Sequence, residues 1–317
     1  MNSNILVTGA AGQIGTELTR TLRSLYGDSS VVAADYKPIS TSKNTSAGPT
    51  VILDVANAAD IAGVVKKYGI RTIYHLAGVL SAVAEKNPQL AWNINVNGLK
   101  NILETACQNS CAVFFPSSIG AFGPGSPADN TPQVTIQRPT SIYGITKLTG
   151  ELLCEYYYKK FGVDTRGLRF PGIISYETLP GGGTTDYAVD IFYSAVAKKT
   201  YSCFLQADTA LDMMYMPDAL TAAIDLMEAD GTKLIHRNAY NITAMSLTPA
   251  MLAREITKHI PGFSITYSID PVRQQIADSW PNKLDDNAAR KEWGWNPQYG
   301  LAEMTKDMIT HISAKQT

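Results

Sequence analysis

Clustered positive charge is missing from this chain. Its 317 residues carry 27 Lys and Arg against 28 Asp and Glu, a formal net charge of -1, with no basic run. Surfaces that follow phosphate backbones or anionic lipid need grouped Lys and Arg, so neither nucleic acid nor a membrane surface is an expected partner. Long apolar runs are missing too, and Met1-Asn2-Ser3-Asn4 leads straight into an apolar strand, so no membrane span, secretory start or transit peptide is expected. The four cysteines (Cys107, Cys111, Cys154, Cys203) form no paired framework and no Cys-x-x-Cys, which points to a reducing compartment, the cytoplasm. The four histidines (His75, His236, His259, His311) lack ligand spacing, so no metal is expected. Disorder is excluded as well, because 45% of the residues are hydrophobic and only 17% charged.

What is present is alternation. Ile5–Val7, Val31–Ala34, Val51–Val55, Ile73–Leu76 and Val113–Phe115 read as buried strands, with Arg166–Phe170 as a sixth. Between them 12–26, 58–68, 87–109 and 139–161 carry apolar positions at helical period. The spacing predicts an α/β chain with a Rossmann-like, doubly wound parallel sheet. After Phe170 the regularity weakens, and 186–199, 248–260 and 299–312 read as helices with 263–269 as a strand. A nucleotide-binding domain over 1–172 is therefore expected, rejoined by about 210–243 through strands at Leu211–Met216 and Tyr240–Thr243. A smaller mixed substrate lobe would take 173–209 and 244–317. Ser40–Gly48 reads as a surface loop.

Gly9-Ala10-Ala11-Gly12-Gln13-Ile14-Gly15 follows the first strand and opens the first helix. Glycines there allow a sharp turn and a close approach of backbone N–H groups to a pyrophosphate, which the helix N-terminus favours. Asp35 ends the second strand twenty residues after Gly15, where a carboxylate accepts from ribose hydroxyls and repels a 2′-phosphate, so NAD is expected rather than NADP. Asp54, with Val55 beside it, is placed to accept from the adenine amino group. Leu76, Ala77 and Gly78 after His75 present backbone groups to the cofactor, while His75 itself reads as a packed residue.

Tyr143 and Lys147 share one face of a helical stretch, so the ammonium can favour the phenolate and turn the phenol into a base. Upstream, Phe115-Pro116-Ser117-Ser118-Ile119-Gly120 ends the fifth strand with a serine at the crevice. On a helix the Tyr-x-x-x-Lys spacing alone is equally that of a surface pair. Gly181–Gly183 allow a loop over the site, and Thr184, Thr185 and Asp186 stand at a helix start. There they serve either as a cap or as binders of a carboxylate and an ammonium.

These motifs resemble the extended short-chain dehydrogenase/reductase family, which includes the nucleotide-sugar epimerases and dehydratases, over nearly the whole chain. The resemblance implies Tyr143 as acid/base, Lys147 on the nicotinamide ribose and lowering the tyrosine pKa, and Ser118, with Ser117 as fallback, on the substrate oxygen. It also implies Asn95 as a support of the catalytic helix counted with the cofactor site, Ile173 at the cofactor, and a homodimer through 87–109 and 139–161. Within the family, Pro116–Pro124, Leu168–Ser175 and above all Pro180–Ala188 are similar to the short-chain-type L-threonine 3-dehydrogenases. That narrower likeness implies NAD-dependent oxidation of L-threonine, with Ser81, Gly183, Thr184, Thr185, Asp186 and Trp280 at the amino-acid pocket. It also admits a mitochondrial matrix location in a eukaryote. A nucleotide-sugar epimerase or dehydratase is the alternative, which would need basic residues such as Arg254, Lys258 or Arg273 to hold a diphosphate. A non-catalytic NAD sensor is the second, and an intact Ser118, Tyr143 and Lys147 speaks against it.

Overall fold

Near-continuous runs of Val, Ile, Leu and Ala bury both faces of a strand, and this chain places them at the centre of a parallel sheet. In the computed structural model, which describes residues 4–39, 48–177, 179 and 181–316, seven strands make up that sheet. They are β1 (Asn4–Thr8), β2 (Val31–Asp35), β3 (Thr50–Ile52), β4 (Ile70–His75), β5 (Ala112–Ser118), β6 (Thr165–Phe170) and β10 (Tyr240–Asn241). Their order is β10-β6-β5-β4-β1-β2-β3, and every pair is parallel. Alternate side chains divide between two layers. Ile5, Val7, Val31 and Ala33 join a core that contains residues of the helices Gln13–Tyr26 and Met216–Glu228. Leu6, Val32 and Ala34 join another with Ile61, Leu99 and Cys154 from the helices Ala58–Tyr68, Gly98–Asn109 and Ile142–Phe161. The architecture is a Rossmann-like α/β fold.

Two smaller sheets accompany it. A mixed one holds β7 (Gly172–Ile174), β9 (Leu211–Tyr215) and β11 (Met245–Leu247), and a parallel pair holds β8 (Thr200–Cys203) and β12 (Ser264–Tyr267). A third core gathers around Tyr187, Phe192, Leu252, Ile256, Met304 and Met308.

Several sequence expectations need correction. Of the two strands expected to rejoin the main sheet, only Tyr240–Asn241 does so, because Leu211–Tyr215 finds its partners in β7 and β11. The stretch 87–109 is not one α-helix: Pro88–Trp92 passes through a π-helical turn at Asn93–Asn97 into Gly98–Asn109. The third strand stops at Ile52, and Met216–Glu228 is a helix that strand periodicity did not announce. Residues 40–47 of the expected surface loop, Met1–Ser3 and Pro180 lie outside the described residues. Among the described residues no helix is long and apolar enough to cross a membrane.

Candidate active site

The direction in which the chain adds strands reverses between β1 and β4, and a cleft opens at the carboxyl ends of strands at such a point. Two cavities occupy it. An inner one of about 240 Å³ reaches from the glycine loop to Trp280, and an outer one of about 670 Å³ runs past Asp35 and Asp54.

The glycine loop is wedged in place. Gly9 turns at φ +69, and a side chain on it would lie 2.6 Å from the Ala77 nitrogen; one on Gly15 would lie 2.1 Å from the Gly9 carbonyl oxygen. Gln13 and Ile14 open the helix, so their amides have no intrahelical acceptor and stand free for an anion. Gly9, Gly12, Gln13, Ile14 and Gly15 all line the inner cavity. The Asp35 carboxylate accepts the Ala11 N–H at 3.1 Å and the Lys37 N–H at 3.3 Å, which fixes it at the outer cavity's edge. Asp54, Val55, Leu76, Ala77 and Gly78 line the same cavity. An open anion-binding helix end beside a fixed carboxylate fits a pyrophosphate joined to a ribose.

The helix Ile142–Phe161 carries Tyr143 and Lys147. Its first turn is capped twice, by Ser141 Oγ accepting from Gly144 N at 3.1 Å and by Glu85 Oε1 accepting from Ile142 N at 2.7 Å, so Tyr143 starts from a fixed backbone. Its ring lies against Gly120 beside the Ser118 hydroxyl, which accepts from Gly120 N at 3.1 Å and favours the phenolate. Ser117 is committed elsewhere, donating to Glu151 Oε1 at 2.5 Å. Both serines, Tyr143 and Lys147 line the inner cavity, but only Ser118 acts on the phenol.

The net lowering of the phenol that the sequence reading expected is not what this geometry gives. Burial dominates and pushes Tyr143 above its ordinary value, with the Ser118 hydroxyl opposing. Lys147 Nζ donates to the Pro116 carbonyl at 2.6 Å and stands 5.5 Å from the centre of the Tyr143 ring, while burial holds its own pKa at about 8. His75 is packed, as the sequence suggested: it hydrogen-bonds Thr8 at 2.9 Å, and burial, then the charge of Lys147, push it down to about 3.

Ser81, Gly183, Thr184, Thr185, Asp186 and Trp280 meet on the other side of the inner cavity, with Ile173 also in its wall. Ser81 and Thr184 hydroxyls face each other at 3.4 Å. Asp186 precedes the helix Tyr187–Lys198 without capping it; its carboxylate turns back to accept from Gly182 N at 2.8 Å and Gly183 N at 2.6 Å. Asn95 lines neither cavity. It grips Val79 through N–H and carbonyl (2.7 and 3.1 Å) and reaches Thr146 at 3.0 Å, so it ties the loop after β4 to the catalytic helix. Glu85 and Glu151 escaped the sequence reading. For Glu151 the signal was there: it stands one more four-residue step along the face that joins Tyr143 to Lys147.

The model of the NAD dependent epimerase/dehydratase family matches residues 5–243. A Staphylococcus saprophyticus protein named as an uncharacterized epimerase/dehydratase is 54% identical, covering 98% of each chain. Among solved structures, L-threonine dehydrogenase from Clostridium difficile superposes with a TM-score of 0.97 at 55% identity, covering 99% of this chain and 98% of that one. The holo form of a GalE-like L-threonine dehydrogenase from Cupriavidus necator gives 0.95 at 49%, covering 98% and 99%. The chain is an NAD-dependent oxidoreductase and belongs to the NAD dependent epimerase/dehydratase family.

Proposed function

We propose that this enzyme oxidises the C3 hydroxyl of L-threonine, giving L-2-amino-3-oxobutanoate. The observation that carries the reading is the inner cavity itself, where the Ser118–Tyr143 pair faces the hydroxyls of Ser81, Thr184 and Thr185 across a space suited to a small polar molecule. High identity to proteins described as L-threonine dehydrogenases supports it. Against a sugar-diphosphate substrate, Arg254, Lys258 and Arg273 line neither cavity. Lys258 pairs with Glu255 at 2.6 Å, and Arg273 lies 4.2 Å over the Phe204 ring.

NAD, when bound, supplies the acceptor for the hydride that leaves C3. Tyr143 as phenolate takes the hydroxyl proton, and Ser118 hydrogen-bonds the same oxygen and holds it at the phenol. Lys147 puts a positive charge beside the developing phenolate and holds the nicotinamide ribose. Gly12 and the amides of Gln13 and Ile14 hold the pyrophosphate, and Asp35 the adenosine ribose. Thr184, Thr185 and Ser81 bind the substrate carboxylate. Asp186 meets the ammonium, since an ionised carboxylate that accepts two N–H groups retains further acceptor sites.

The test is NADH formation with L-threonine beside D-threonine, L-allo-threonine, L-serine and a UDP-sugar, with NADP⁺ as control. L-Threonine should turn over selectively, and NADP⁺ should support at least about 100-fold less, because Asp35 meets its 2′-phosphate as a like charge. Silence with every amino acid would refute the substrate; conversion of the UDP-sugar, followed as sugar product because an epimerase or dehydratase returns its hydride and releases no NADH, would favour the epimerase, and NAD binding without any turnover the sensor.

A second copy of the chain is the proposed partner. Leu90, Trp92, Ile145, Leu152 and Tyr156 expose apolar surface on the helices 88–92 and 142–161, which a dimer through these helices would cover. Sedimentation equilibrium should return twice the chain mass at micromolar concentration, and a single-chain mass there would overturn the dimer.

A further inference from the structure

The catalytic helix meets the end of β5 by three contacts at a four-residue repeat. Tyr143 stands beside the Ser118 hydroxyl across Gly120, Lys147 Nζ donates to the Pro116 carbonyl at 2.6 Å, and Glu151 Oε1 accepts from Ser117 Oγ at 2.5 Å. Gly150 lets the helix come this close, for a side chain there would lie 2.3 Å from the Phe115 ring. Glu151 does not line the cleft; it lines a separate cavity behind it. There Arg169 from β6 grips both its oxygens, Nε to Oε1 at 3.0 Å and Nη2 to Oε2 at 2.8 Å, and Gln137 adds a bond at 3.2 Å. Both charged groups are buried, at 5% and 6% exposure. Such a pair is rarely kept for stability alone, because desolvation offsets much of its attraction.

We propose that Glu151 is a positioning residue of the reaction, which keeps Lys147 charged inside the cleft and locks Ser117, and with it Ser118, against the catalytic helix. This rests on the roles given above to Tyr143 and Lys147. The groups that face Lys147 are Tyr143 and Glu151 on its own helix and His75 at the end of β4, with Arg169 behind Glu151 on β6. His75 is neutral, so Glu151 is the carboxylate that opposes the burial of the ammonium. With that charge removed, Lys147 gives up its proton at lower pH, and the Lys147 limb of kcat, where the rise with pH levels off below the titration of Tyr143, moves down.

The experiment is kcat against pH for Glu151→Gln, Glu151→Asp and Arg169→Gln, with NAD affinity and thermal midpoint measured beside it. Glu151→Gln should move the Lys147 limb down by about one pH unit, the lower end of what a nearby opposite charge does, Arg169 tempering it. Its optimum kcat should fall at least about tenfold as Ser118 loosens. Glu151→Asp keeps the charge and should leave the limb at the wild-type position although the Ser117 contact is lost. Arg169→Gln leaves Glu151 uncompensated, so its limb should lie at or above wild type, and it carries the test alone if Glu151→Gln does not fold. A Glu151→Gln enzyme with a lower midpoint and an unmoved limb would make the residue structural only, and a lowered limb in Arg169→Gln would overturn the proposal too. Failure of the underlying reading looks different, because a Tyr143→Phe enzyme would then still turn over.

Discussion

Tyr143→Phe is expected to lower kcat by about 10³-fold, within the range contributed by a positioned acid or base, and to leave NAD affinity within about threefold of wild type. The ring packs 3.2 Å from the position a side chain on Gly120 would take, so phenylalanine fits the same slot and the loss reports the hydroxyl alone. Burial raises the phenol and holds Lys147 at about 8, so oxidation in the wild type should accelerate as pH rises and level off once Lys147 loses the charge that favours the phenolate, which it does before Tyr143 titrates. The variant should lose the rising limb and keep a small residual rate. Stopped-flow NADH formation across pH, with NAD binding by fluorescence, checks both points. Unchanged turnover would remove Tyr143 as the base; lost NAD binding would mean that the hydroxyl serves the cofactor site instead.

Much of the site was legible because its spacing is local. The glycine loop sits at a βα junction, Asp35 ends the next strand, and Tyr143 and Lys147 share one helical face, so each follows from short-range geometry. What escaped depends on distant partners or on burial. Nothing in Leu211–Tyr215 says that it pairs with β7 and β11 rather than with the main sheet. The π turn at Asn93–Asn97 hides inside a helical period, although it belongs to the segment that places Asn95 against Val79 and Thr146. Spacing put a cation near the phenol but could not weigh it against desolvation, which wins in this structure. Asp186 likewise read as a helix-end charge, while its carboxylate folds back to hold the loop at Gly182 and Gly183.

Gly15→Ala should weaken NAD binding by about 10- to 100-fold, the equivalent of the roughly 1–3 kcal/mol that overpacking costs. The new carbon would lie 2.1 Å from the Gly9 carbonyl oxygen and 2.8 Å from the Ala10 Cα, both backbone atoms that cannot rotate away. Retreat of the loop is blocked on its other side, where Gly9 already lies so close to Ala77 that a side chain on it would come within 2.6 Å of that nitrogen. The remaining direction is outward, into the space in front of Gly12 and the first-turn amides, the site proposed for the pyrophosphate. The strain therefore falls on cofactor binding more than on the fold. Thermal melting with and without NAD separates the two, because a ligand raises the midpoint in proportion to the logarithm of its concentration over its dissociation constant. The wild type should gain several degrees from millimolar NAD and the variant almost none, with the two apo midpoints much closer together. A variant that melts far below wild type yet gains as much from NAD would show that Gly15 serves the packing of helix on strand and not the cofactor.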